Sequence, residues 1–132
     1  MKVFYLRTNG YSITELPTIL EAEGYWCGVV EITGRMSYSK SEPVYLCSDI
    51  CEESVVGNNK LPVLRRVKRD AQGIVKAAIH NIIWLEVTRP RITSIKLYLS
   101  NGEGDLISLK PHHLHCTLLI VPNKKKKNNN NG

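Results

Sequence analysis

His112, His113, His115 and Cys116 form the densest group of metal-type ligands in the chain. On a strand, His113 and His115 would share one face, about 7 Å apart. With Cys47 or Cys51 they could supply part of a zinc site. The spacing argues against it, because Cys47 and Cys51 lack a close Cys-x-x-Cys pattern and the chain has no second His pair. The expected roles are plainer. The histidines sit in a loop and at the start of a strand, Cys116 packs in the core, and no metal or other cofactor is expected.

Nucleophilic chemistry needs a thiol or hydroxyl activated by a neighbouring base. Cys116, His80, His113 and Asp49 can be combined into such a set only by free choice, and no nucleophile elbow is present. Asp49 reads more simply as a strand-end residue whose carboxylate accepts nearby backbone N–H groups. Glu52-Glu53 and Glu21 with Glu23 lie in turn-like settings, as solvated carboxylates do. Gly102-x-Gly104 joins two strand-like segments and does not open a helix, so it is not a phosphate loop. The sequence therefore predicts a protein that is not an enzyme.

Charge offers a second kind of chemistry. The chain of 132 residues carries a net +6, but four of those charges are Lys124 to Lys127, which leaves +2 on the rest. Those lysines, followed by Asn128 to Asn131, are expected to form a disordered tail over 123–132. Such a tail is either a solubilising end or a contact for nucleic acid that ignores base sequence. Arg65, Arg66, Lys68 and Arg69 form a second basic run without the aromatic interleaving that stacks bases. Its simplest role is a charged edge that discourages unwanted strand pairing.

The elements that must position these residues read as short strands. Hydrophobic residues make up 42% of the chain and charged ones 23%, enough for one ordinary core without metal or disulfide. No apolar run approaches the roughly 20 residues that cross a bilayer. The opening residues do not form a signal peptide, so an intracellular protein with reduced cysteines is expected. The central pair is Val44–Ile50 and Val63–Val67, the second starting after Pro62, with Gly57-Asn58-Asn59 supplying turn residues between them. Before them come Val3–Leu6, a tight turn at Asn9-Gly10, a short strand at Tyr11–Glu15, and Tyr25–Ile32. Strict alternation places Trp26, Gly28, Val30 and Ile32 on one face of that last strand and Val29 on the other.

After the central pair, Asp70 to Gly73 reads as a hairpin turn. Ile74 to Val87 is ambiguous between helix and strand, with extended structure expected from Ile82 onward. Ile95, Leu97 and Leu99 alternate with polar partners. Asn101 to Gly104 then turns the chain, and Leu106–Leu109 is expected to return as the second arm of a hairpin. Leu114–Val121 is the last strand, stopped by Pro122. Seven to nine short strands with regular turn signals predict an all-β, antiparallel sandwich over 1–122.

The order of motifs resembles a known family. Tyr45-x-Cys47-x-Asp49-Ile50, Val56-Gly57 and Pro62-Val63-Leu64-Arg65-x-Val67 are similar to a pattern in structural proteins of Polinton (Maverick) elements and adintoviruses. Gly24-Tyr25-Trp26 with Val29-Val30-Glu31-Ile32 resembles an early segment of that family. The stretch from Ile92 to Leu109 and the closing Cys116-Thr117-Leu118-Leu119-Ile120 resemble its end. The resemblance implies a penton-like minor capsid protein with a single jelly roll. It implies a virion inside a host cell as the location, and copies of itself or other capsid proteins as partners. The N-terminal part is compressed relative to the pattern, which leaves open whether the chain completes a sandwich alone. On this reading the residues that matter make contacts: Trp26 and Trp84 as anchors, Tyr45 and Asp49 ordering the central strand, Gly57 permitting a bend, and Arg65 meeting a carboxylate across a subunit boundary.

Overall fold

A computed structural model of the chain describes residues 1–38 and 41–122. The expected tail at 123–132, with Lys124 to Lys127, lies outside the described residues. Eleven strands are formed among the described residues: β1 Lys2–Thr8, β2 Tyr11–Glu21, β3 Tyr25–Arg35, β4 Val44–Ser48, β5 Ser54–Val56, β6 Asn59–Leu61, β7 Val63–Val67, β8 Ile74–Ala78, β9 Leu85–Glu86, β10 Arg91–Ser100 and β11 Leu114–Pro122. All pairing is antiparallel. The expected all-β class holds.

The pairing is nested. β1 pairs with β11, β2 with β10, β3 with β8 and β4 with β7, so the chain behaves as one long hairpin whose midpoint is the small β5–β6 excursion. That hairpin is wound into two sheets, ordered β1-β11-β3-β8 and β2-β10-β4-β7, with β9 added on β3. This is the jelly-roll arrangement of two sheets and eight principal strands. All eight come from this chain, so the compressed N-terminal part costs no strand. β1 and β2 end their sheets at one side of the sandwich, β8 and β7 at the other.

Alternation along each strand builds the core. Ile92, Ile95, Leu97 and Leu99 of β10 face Leu114, Cys116, Leu118 and Ile120 of β11 across the interior, with Cys27, Val29, Ile32, Val44 and Leu46 beside them. β10 and β11 are each flanked on both sides, which is why their buried sets are the most complete. Two bulges correct simple alternation. A register shift at Thr117/Leu118 leaves Val30 unpaired, so Val29 and Ile32, expected on opposite faces, both point inward. On β2 the irregularity around Leu16 to Ile19 carries Pro17. A proline is tolerated there because β2 is an edge strand, and the run continues to Glu21 instead of stopping at Glu15.

Three expectations are overturned. Leu106–Leu109 does not return as a strand. β10 already has β2 on one side and β4 on the other, so the arm is reduced to one bridge, Ser100 to Leu106. The turn itself forms, closed by the Asn101 carbonyl oxygen Oδ1, which accepts the N–H groups of Glu103 and Asp105 at 2.9 and 3.0 Å. Second, Ile82 to Trp84 are not in a strand; β8 occupies Ile74–Ala78, and only Leu85 and Glu86 reach the ladder. The reason is Gly28. A side chain there would meet Ile82 Cγ2 at 2.5 Å, so the bare backbone of β3 is what lets the Ile82–Trp84 segment lie across it. Third, Asp70–Gly73 turns the chain between sheets and not within a hairpin, since β7 and β8 belong to different sheets. Its carboxylate accepts from Gln72 and Ile74 N–H at 2.9 Å each.

The burial pattern sets an expected contrast in stability. Leu97→Ala, in the middle of the core, should lower unfolding free energy by about 2–5 kcal/mol. Ile13→Ala, on an outward and 53% exposed position, should change it by no more than about 0.5 kcal/mol. Urea titration of both variants measures the difference.

Candidate functional site

The proposed ligand cluster is taken apart by the strand it sits on. β11 starts at Leu114, so His112 and His113 precede it, while His115 points out beside Arg7 and Thr33 and Cys116 points in. Among the described residues, no three His, Cys, Asp or Glu side chains converge as metal ligands would. Cys47 and Cys51 are also buried, Cys51 in the core where β4 ends.

Burial also sets the thiol chemistry. Cys27, Cys47 and Cys116 are each pushed up to about 12 by desolvation, and Cys51 is pushed up further by the same cause. The thiolate is the nucleophile, so these four groups stay protonated and unreactive at neutral pH. The same shift makes stability depend on alkali. A group that holds its proton more tightly when folded contributes fully below its unfolded value, near 9, and loses that contribution as the pH rises toward 12. The urea midpoint should be level to about pH 8 and fall between pH 9 and 12, by up to roughly 1.4 kcal/mol per thiol per pH unit. Cys116→Ala should fall less steeply. Iodoacetamide at pH 8 should label the native chain slowly and all four cysteines once urea unfolds it.

Asp49 does what a strand-end carboxylate can do. Its Oδ1 accepts the Lys96 N–H at 3.0 Å, extending the β4–β10 ladder by one bond beyond Ser48, and its Oδ2 accepts from Arg89 Nη1 at 2.8 Å. Thr88 supports the same corner by donating N–H and hydroxyl to Ile50 O at 2.9 and 3.3 Å. Arg89 and Thr88 are residues that sequence reasoning missed, because the connection before β10 has no periodic signal. The ion pair is partly solvated. Asp49→Ala should therefore cost about 1–2 kcal/mol, mostly through the unpaired Lys96 N–H. Arg89→Ala should cost under about 1 kcal/mol. A double-mutant cycle in urea separates the two.

The remaining candidates do not gather at one place. Tyr45 lies on the outward face of β4, opposite Arg66 and Ser100. Gly57, at φ 59° in open space, makes the β5–β6 turn that its conformational freedom predicted. Trp84 lies over Gly28, and Trp26 on β3 has its indole N–H shielded from solvent without a hydrogen-bond partner. Arg65 Nη1 donates to the backbone oxygen of Asn81 at 3.1 Å, within the chain.

Two features of the surface stand out. At the β1–β2 side, Met1, Val3, Tyr5, Tyr11, Ile13 and Ile19 are all exposed, Tyr5 by 82%. Among the described residues, five of the ten exposed large apolar side chains are on these two edge strands: Val3, Tyr5, Tyr11, Ile13 and Ile19. At the β7–β8 side, a cleft of about 850 Å³ is lined by Tyr38, Glu42, Arg66, Lys68, Arg69 and Asp70. The chain matches no protein-family model, and no curated protein matches it. Among the described residues, no helix is long and apolar enough to cross a membrane.

Proposed function

We propose that the chain is a non-enzymatic structural subunit of a virus-type shell, a jelly-roll capsid protein of the penton-like kind found in Polinton-type elements and adintoviruses. The observation that carries this reading is the strand order. Nested pairing from β1–β11 inward to β4–β7, wound into two four-strand layers, is an architecture that capsid proteins share with lectins and cupins. The step from architecture to role is one of analogy, and two further observations favour the capsid branch. The core between the sheets is packed mainly with Leu, Ile and Val side chains. And among the described residues half of the exposed large apolar side chains lie on the two edge strands at one side of the sandwich, which suits that side to meet another subunit.

Copies of this chain, or related shell proteins, then meet along the β1–β2 side. Val3, Tyr5, Tyr11 and Ile13 are the contact residues on this reading, and Trp26, Tyr45, Asp49 and Trp84 act within the subunit. Light scattering on a size-exclusion column, over a hundredfold range of concentration and at several salt levels, should show association that grows with concentration. Tyr5→Glu with Ile13→Glu should raise the concentration needed by tenfold or more while leaving the far-ultraviolet spectrum unchanged. A chain that stays monomeric throughout counts against the proposal.

A further inference from the structure

The jelly-roll winding brings β7 and β8 together, although they end different sheets. Arg65, Arg66, Lys68 and Arg69 come from β7 and the residues just after it. Lys76 comes from β8, and Arg35 from the end of β3, opposite Ile74. His80 follows. A second cleft of about 290 Å³ opens between the two strands, lined by Arg65, Arg66, Lys68, Val75, His80 and Asn81. It shares Arg66 and Lys68 with the larger cleft, so the two form one basic flank.

The local carboxylates do not cancel this charge. Glu42 takes the Tyr38 hydroxyl, and the Asp70 carboxylate is committed to the Gln72 and Ile74 N–H groups. Glu31 borders the flank on β3. Six cations thus face three carboxylates here, while the remaining described residues carry more acids than bases. The body of the protein is polarised, which its low net charge hides. Arg65 is held to Asn81 O, and Arg69 lies over the Tyr38 ring at 5.7 Å with Nη2 donating to Glu42 O at 3.4 Å. These two guanidinium groups are positioned before any partner arrives.

We propose that the β7–β8 flank binds the phosphate backbone of nucleic acid. Side chains from two sheets about 10 Å apart span enough length to meet several phosphates, whose density on a duplex is one charge per ~1.7 Å of axis. An acidic protein is the less suitable partner, because a protein interface has an apolar centre; on β7 and β8, Ile74 is the one large apolar side chain exposed among the described residues. The assignment uses strand residues whatever the lysine tail does, and it does not rest on the capsid reading.

Fluorescence anisotropy with a 30-base-pair duplex of mixed sequence tests it, using the full chain across a sodium chloride series. Arg66→Ala, Lys68→Ala and Lys76→Ala together should weaken binding at least tenfold near 100 mM salt. They should also reduce the slope of log affinity against log salt by about 2 to 3, at roughly 0.9 per lost phosphate contact. All three side chains are exposed, and an unchanged urea midpoint verifies the fold; if it moves, Lys76→Glu alone carries the test. Substituting Lys124 to Lys127 by alanine must leave a flank-dependent component. Binding abolished by that tail variant and untouched by the flank variant would overturn the proposal. So would binding to polyglutamate with none to the duplex.

Discussion

β10 is the strand on which the rest of the structure depends. Its backbone is satisfied on both sides, by β2 and by β4, and its inner face contributes Ile92, Ile95, Leu97 and Leu99 to the core. Once both edges of a strand are used, no further segment can join it. That exclusion shapes its surroundings. The arm after the Asn101 turn stays irregular, and Leu106 is left 61% exposed. β11 plays the same part in the opposite sheet, between β1 and β3, and the two central strands press their aliphatic faces together. Roughly 25 cal/mol per Å² of apolar surface buried there makes this contact the main source of stability.

Much of the fold was legible in the sequence. The alternation of Ile95, Leu97 and Leu99 located β10, and the placing of Val44–Ile50 beside Val63–Val67 gave the β4–β7 pair. What could not be read was anything that depended on occupancy of neighbouring edges. Ile82 to Trp84 have strand-forming side chains, yet their place is decided by a bare patch at Gly28 on a different strand. The bulge at Val30 is likewise invisible in a single strand's pattern, because it exists only in the register against β11.

The surface was less legible than the core. The Arg65–Arg69 run was visible, but Arg35 and Lys76 join it only through the crossing of β7 and β8 at one side. The apolar side chains of Val3, Tyr5, Tyr11 and Ile13 looked like ordinary strand residues until β1 and β2 were seen to be the edge strands at one side of the sandwich. The two opposite sides therefore differ in balance, the β1–β2 side richer in exposed apolar side chains and the β7–β8 side richer in cations. That difference gives a molecule of this shape a direction.

The pairing of β1 with β11 has a consequence for how the molecule is made. On leaving the ribosome β1 must wait for β11, since Lys2 lies opposite Ile120, and β3 waits for the same partner on its other side. Half of the sandwich is thus without its middle until β11 has been synthesised. Contacts so distant in sequence slow folding, and meanwhile the nascent strands expose sticky edges. A chaperone, or a low rate of synthesis, should matter more to the yield of this protein than to that of a helical one of equal length.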